Sequence, residues 1–185
     1  MNIGVDKDGT LTKMEKFTKK YFLNFCHTFN VPAEYPQEDL YNLDEMYNAP
    51  KGTEEMFWKI TSDLYNSWPS KIDSNDVIDR LIAKGHKIFI ITNDNDVNKQ
   101  WFTRNNIHYH NLIVANGNKL NAIKQYNIEL MFEDSPQQIL DISKKIPVIK
   151  MYAMYNRYVK GNNIYPVWEW YHVPALIREQ FNLEV

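Results

Sequence analysis

The chain is expected to fold as an α/β protein: an open parallel sheet with helices on both faces and a small helical cap inserted after the first strand. Three observations predict this. From about residue 72 onward, short apolar runs alternate strictly with helical patterns, which is the signature of a parallel sheet buried on both faces. A further apolar strand, "NIGVD", stands alone at the N-terminus, separated from the others by a block of helical and broken sequence. Three polar clusters, "DKDGT", "TND" and "ED", each follow an apolar strand, and open parallel sheets bind ligands beyond the carboxyl ends of their strands.

The elements follow in order. "NIGVD" is too continuously apolar for a two-sided edge strand. In "KMEKFTKKYFLNFCHTFN", Phe17, Tyr21, Phe25 and Phe29 recur at i, i+4, and Phe22 and Cys26 widen the stripe; this is an amphipathic helix. "VPAEYPQEDLYNLDEMYNAPKG" is interrupted by Pro32, Pro36, Pro50 and Gly52 and should be a loop holding one short helix. "TEEMFWKITSDLYNSW" is a helix with Thr53 as its N-cap candidate and Met56, Phe57, Ile60 and Leu64 on one face. After residue 72, "SNDVIDRLIAKGH" is a helix with a serine cap and a glycine stop. It leads into strand "KIFIIT", helix "DVNKQWFTRNN", strand "NLIVA", helix "NKLNAIKQYN", strand "IELMFED", helix "SPQQILDISKKI" and strand "PVIKMY". "VWEWYHVPALIREQF" is read as a closing helix. The expected division is a Rossmann-like core over 1–12 and 72–185 and a helical cap over 13–71.

Composition narrows the classes of function. The 185 residues suffice for one well-buried core with a small insertion. A formal net charge of -2 argues against nucleic acid as a partner held by bulk charge. Cys26 is the sole cysteine, which excludes an internal disulfide and a cysteine-based zinc site. The N-terminus lacks the apolar run of a signal peptide and no stretch approaches membrane-spanning length, so a cytoplasmic protein without a membrane partner is expected. The five histidines are scattered without metal-ligand spacing.

Aspartates are poor strand formers and costly to bury, so "DKDGTLT" directly behind a strand needs a reason. A calcium loop fails, because Gly9 comes too early for that pattern. Asp6 and Asp8 lie two apart where the strand ends, Gly9 permits a sharp turn, and Glu133 and Asp134 would approach from a neighbouring strand end. Carboxylates converging in this way repel one another unless a cation sits between them, and a small number of hard oxygen ligands suits Mg2+. A phosphate would need donors: the Thr92 hydroxyl, the Asn93 backbone N–H and a lysine. Lys119 opens a helix, and Lys124 is its rival a little over one turn along. Each residue also has a plainer reading. Asp6 and Asp8 could form a polar turn, Thr92 a turn or cap, and Asp134 an N-cap, although Ser135 before Pro136 can fill that last role. "NDND" after Thr92 could be a cation loop or turn chemistry. Lys13, Lys16, Lys19 and Lys20 form a solvated helix face, or else a groove for a polynucleotide end.

"DKDGT", "IFIIT", a lysine at the head of a helix and "FEDSP", in that order, resemble the motifs of the haloacid dehalogenase superfamily of phosphohydrolases. The resemblance implies Asp6 as nucleophile and Asp8 as general acid and base. It implies phosphate binding by Thr92 and Lys119, with the Lys7, Asp8 and Asn93 positions around the same phosphate, and Mg2+ held by Asp6, Asp134 and the backbone carbonyl of Asp8. Glu133, in an "ED" where "DD" is more usual, is left as a supporting residue. Lys7 replaces the more usual apolar residue, with its N–H still serving phosphate and its side chain pointing away. The second half, through "KMYAMYNR", is similar to the deoxyribonucleotidases and related bacterial nucleotidases. This implies a 5'-nucleotidase acting on nucleoside monophosphates. Rivals are a phosphatase of nucleic-acid 3' ends or sugar phosphates, and a non-catalytic phosphoryl-binding module. Substrate choice should reside in the cap, where Phe57, Trp58, Tyr65 and Trp68 either stack on a base or pack together. Trp68, before Pro69 at the cap's exit, is the pocket candidate. Nothing in the sequence sets the oligomeric state.

Overall fold

A computed structural model describes residues 1–95, 97–183 and 185. Among these, six strands form one sheet: β1 (Asn2–Val5), β2 (Lys87–Thr92), β3 (Asn111–Val114), β4 (Leu130–Glu133), β5 (Val148–Met151) and β6 (Ile164–Val167). The order is β3-β2-β1-β4-β5-β6 and every pairing is parallel. β1 is central: Val5 registers with Ile90 of β2 on one side and Phe132 of β4 on the other.

Alternation along each strand builds two cores. Ile3, Val5, Ile88, Ile90, Leu130 and Phe132 point to one face, against helices α4 (Ser74–Ala83), α5 (Lys99–Arg104) and α8 (Val173–Phe181). Phe89, Ile91, Met131 and Val148 point to the other, against α6 (Lys119–Gln125) and α7 (Pro136–Ser143). A sheet covered on both faces requires apolar residues at every strand position, which is why the strands read as unbroken apolar runs. α4 stops where expected. Gly85 takes a φ of +82°, and its N–H and that of His86 close back on Ile82 and Leu81. A β-carbon makes that left-handed geometry costly. Asparagine serves the same end elsewhere: Asn30, Asn106, Asn127 and Asn182 follow α1 (Met14–Thr28), α5, α6 and α8 with positive φ.

Between β1 and α4 lie α1, α2 (Leu43–Met46) and α3 (Thr53–Asn66). They pack on one another around Phe17, Phe22, Phe25, Met46, Phe57 and Tyr65. The short helix expected between the prolines is α2.

Several expectations need correction. Thr53 is the first helical residue of α3 and not its cap; Gly52 precedes it and the Thr53 hydroxyl donates to Pro50 O. The buried face of α3 carries Phe57 and Tyr65, while Ile60 and Leu64 are 50% and 42% exposed. The aromatic rings of α1 define the apolar side, and large rings eight residues apart fill it better than the aliphatic set. Ser74 likewise lies inside α4, with Asp73 as cap and no side-chain cap bond. Ser135 occupies the cap position of α7, also without a side-chain cap bond. The closing helix starts only at Val173. Val167 belongs to β6, an edge strand that tolerates Pro166 because an edge position leaves one side of the backbone unpaired. Among the described residues, no helix is long and apolar enough to cross a membrane.

Candidate active site

β1, β2 and β4 deliver their carboxyl ends to one crevice, where the order of strands reverses direction about β1. The Asp6 N–H extends the ladder by donating to Phe132 O (3.0 Å). The chain then turns hard. The N–H groups of Leu11 and Thr12 both donate to Lys7 O, and the Gly9 N–H donates to Thr12 Oγ1 (3.0 Å). Gly9 has a φ of +79°, and a β-carbon there would lie 2.0 Å from Asp134 Oδ2. The loop thus approaches the β4 carboxylate as closely as backbone can, and Thr10 Oγ1 donates to Asp134 Oδ1 (3.1 Å). Trp170 Nε1 pins the turn from behind through Thr10 O (3.0 Å).

Asp6, Glu133 and Asp134 are buried, and their ligand oxygens lie within 4.8 Å of one another. Among the described residues, Lys119 makes the direct ion pairs with this group. Lys119 Nζ donates to Asp6 Oδ1 (2.5 Å) and Glu133 Oε2 (2.6 Å). Glu133 Oε1 accepts from the N–H groups of Asp134 and Ser135 (3.1 and 3.0 Å), so this side chain is fully engaged within the protein. Asp134 is gripped from the turn after β5: Tyr155 OH donates to its Oδ2, and Asn156 Nδ2 donates to its carbonyl (2.8 Å).

Burial pushes the Asp6 carboxyl well above its ordinary value; Lys119 opposes this, while Glu133, Asp134 and Asp8 add to it. Burial also drives Asp134, up to about 7, with Glu133 adding and the Tyr155 hydroxyl opposing. Burial alone would lower the Lys119 ammonium, but Asp6 and Glu133 more than offset it and raise it. The three buried carboxylates outnumber the lysines that act on them, Lys119 by direct contact and Lys71 through its charge on Asp134, and all the donors are hard oxygens. That set fits Mg2+.

The Lys7 expectation is corrected. Its side chain does not point away: it is 1% exposed, with Nζ 3.2 Å from Asp8 Oδ1 and 3.3 Å from Asp94 Oδ2, over the Tyr65 ring at 5.4 Å. The turn at Gly9 puts Asp8 and the end of β2 on the side of Lys7 that faces α3. There an ammonium finds two carboxylates and a π-face, and these keep its charge despite burial. Asp8 Oδ1 also accepts from Tyr65 OH (2.9 Å), which shares a 2.5 Å hydrogen bond with Thr12 Oγ1.

Thr92 ends β2 with its side chain buried, and its hydroxyl accepts from the Asp94 N–H (3.1 Å). The exposed Asn93 ties this turn to the loop before α6, its Oδ1 accepting from the Gly117 N–H (2.9 Å). α6 turns Lys119 inward and Lys124 out to solvent. Of "NDND", Asp96 lies outside the described residues.

In front of Asp8 opens a cavity of about 780 Å3, walled by Trp58, Tyr65, Tyr41, Tyr155 and acidic residues. Trp68 is absent from this wall. It packs edge-on to Phe17 and Tyr21 at 5.3 and 5.8 Å inside the cluster of α1–α3, so Trp58 takes the place expected for it. Sequence reasoning met Asp94 only within the "TND" and "NDND" clusters, without its pairing to Lys7, and passed over Tyr65 as an Asp8 partner and the Tyr155 hydroxyl. Tyr155 carried a signal of its own, in the "YNR" after the last recognised strand.

No protein-family model matches the chain. It is 30% identical over 181 residues to "Putative nucleotidase YqfW" of Bacillus subtilis, covering 92% of this chain and 90% of that one. It is 26% identical over 186 residues to "Putative nucleotidase BH1399" of Halalkalibacterium halodurans, covering 95% and 92%. Among solved structures, the haloacid dehalogenase-like hydrolase SP0104 of Streptococcus pneumoniae shares the fold. Its TM-score is 0.67 at 13% identity, over 95% of this chain and 97% of that one.

Proposed function

Because the chain belongs to the haloacid dehalogenase superfamily of phosphohydrolases, in the family of bacterial proteins named as nucleotidases, we propose that it is a Mg2+-dependent phosphomonoesterase, a 5'-nucleotidase acting on nucleoside monophosphates through an aspartyl-phosphate. The observation that carries this reading is the Asp6–Lys119 pair beside Asp134, with Asp8, two residues along the same loop, on the cavity wall.

In this reading an Asp6 carboxylate oxygen attacks phosphorus while the ester P–O bond breaks. Asp8 gives its proton to the departing oxygen. Asp8 then takes a proton from water, whose oxygen attacks the same phosphorus and releases phosphate from Asp6. Lys119 opposes the burial that favours the protonated form of Asp6, and its ammonium lies on the carboxylate oxygen of the nucleophile. Thr92, the N–H groups of Lys7, Asp8 and Asn93, and Lys119 are assigned to the phosphate oxygens. Asp6, Asp134 and the Asp8 carbonyl would hold Mg2+, and Glu133 would hold Lys119. Bound there, Mg2+ supplies charge to offset repulsion between the carboxylate and the phosphate. The segment 13–71 is assigned as a cap that excludes water and selects the leaving group.

The test is phosphate release from nucleoside monophosphates, sugar phosphates and a 3'-phosphorylated oligonucleotide, with Mg2+ or with EDTA. The expected result is Mg2+-dependent turnover that is fastest on nucleoside 5'-monophosphates. Asp6→Asn, similar in shape but a poor nucleophile, should retain less than about 1% of the rate. Retention of more than a few percent would overturn the assignment of Asp6. Preference for another ester would overturn the nucleotidase reading alone.

A further inference from the structure

We propose that Tyr65 and Lys7 are positioning residues that hold the Asp8 carboxylate toward the leaving group, so that docking of α3 on the sheet sets the proton donor. The inference rests on the role given to Asp8 above and adds what holds it in place.

Asp8 sits at the mouth of the crevice with its side chain 29% exposed, where a carboxylate otherwise samples several rotamers. Two donors converge on one of its oxygens. Tyr65 OH reaches Oδ1 at 2.9 Å from α3, and Lys7 Nζ lies 3.2 Å from Oδ1 from the loop itself. The hydroxyls form a chain with one consistent direction. The Gly9 N–H donates to Thr12 Oγ1, leaving the Thr12 hydroxyl to donate to Tyr65 and the Tyr65 hydroxyl to donate to Asp8. Lys7 carries the restraint sideways to Asp94 in the turn after β2, at 3.3 Å. Among the described residues no group holds Oδ2, which leaves that oxygen for the substrate.

Packing does not call for these two polar groups. Phenylalanine would fill the Tyr65 site, and an apolar chain would fill that of Lys7 without bringing a charge below the surface, where a charge is costly unless paired. Proton transfer needs a donor held in place, and a fixed acid or base contributes about 10²–10⁴-fold.

The test compares kcat/KM for two esters. This constant ends at departure of the leaving group, so it reports proton donation without the later attack of water. An alkyl ester such as glycerol phosphate needs the proton; p-nitrophenyl phosphate, with a stable leaving anion, needs little. Tyr65→Phe and Lys7→Met should each lower kcat/KM for the alkyl ester roughly tenfold to a hundredfold more than for the aryl ester, a part of the acid's whole contribution. Trp68→Phe, a packing change, should lower both in proportion. Melting temperatures show that each variant is folded, and if one is not, the other carries the comparison. An equal loss on both esters in Tyr65→Phe and Lys7→Met would overturn the positioning role while leaving the phosphatase reading intact. Absence of turnover by the unaltered protein on every ester with Mg2+ would overturn both.

Discussion

Asp134 shows most clearly that single residues here are held against their own chemistry. Its carboxyl is buried, crowded by Glu133 and Asp6, and pushed up from 3.8 to about 7. In metal-free protein, the folded chain retains a proton that the unfolded chain releases. This contribution to stability is fully present below about pH 4 and is lost as pH rises through 7. In EDTA, the melting temperature should therefore fall between pH 5 and pH 8, by about 2–4 °C for each kcal/mol lost in a chain of this size. Mg2+ at pH 8 should restore it, and Asp134→Asn should reduce both the pH slope, to which Asp6 also contributes, and the Mg2+ response. A wild-type melting temperature that rises over that interval in EDTA would contradict the charge balance described. Asp6, Asp8, Gly9 and Asp134 were legible in the sequence because an acidic turn behind an apolar strand has few other uses. The direction of the Lys7 side chain was not. It is decided by Asp94 and Tyr65, which are 87 and 58 residues away along the chain and meet Lys7 only after folding.

Among the elements, α6 is the most exacting, because a seven-residue helix decides which lysine reaches the carboxylates. Asn118 caps it, its side chain accepting from the Asn121 N–H (3.3 Å), and Ala122 and Ile123 bury its inner face. That register sends Lys119 to Asp6 and Glu133 and leaves Lys124 in solvent. Lys119→Ala should cost roughly 2–4 kcal/mol in kcat/KM, through a lost phosphate donor and an unpaired Asp6, and Lys124→Ala should be near neutral. The reverse outcome in steady-state assays would place the helix one turn out. The sequence left the two lysines as rivals because spacing of about one turn does not say which residue faces the sheet. The strands were legible for the opposite reason: a covered parallel sheet makes each one an apolar run. β6 escaped notice because "IYPV" contains a proline and lies at an edge, where Ile164 and Tyr165 are only half-buried. The face of α3 was misread because apolar residues at helical spacing lie on both sides of it, and only the rings of α1 choose between them.

At the scale of the whole molecule, the proposed reading places phosphate chemistry and leaving-group choice in different parts of the chain. The carboxylates and Lys119 come from strand ends and α6, and in that reading every phosphate ester meets them alike. The cavity beyond Asp8 is walled mainly from α1 to α3, with Tyr155 entering from the sheet side. Arg157 ties these parts together, donating to Asp39 O (3.3 Å) and pairing with Glu38 Oε2 (3.1 Å), while Tyr41 meets Tyr155 edge-on at 5.3 Å. Trp58 is the large flat surface in that wall. Its indole lies parallel to Phe17 at 6.0 Å and donates to Glu54 Oε1 (3.3 Å), so it is held in place before any ligand arrives. Glu54, Asp63 and Asp94 line the same cavity, with Lys59 as a cation among them; such carboxylates can accept hydrogen bonds from hydroxyl and amino groups, and their excess over Lys59 disfavours a second anion. That is the wall a nucleoside with a single phosphate would fit. Stacking of a base on such a ring is worth roughly 1–3 kcal/mol. Trp58→Ala should therefore lower kcat/KM for a nucleoside 5'-monophosphate about tenfold to a hundredfold relative to glycerol phosphate. Both substrates are alkyl esters with the same demand on Asp8, so the ratio isolates the base from proton donation and from any loss of fold. Trp68→Ala should leave that ratio unchanged, since its ring packs on Phe17 and Tyr21 and is absent from the cavity wall. An unchanged ratio in Trp58→Ala would mean that the base does not lie on this ring, and the nucleotide reading would lose its support in the cavity.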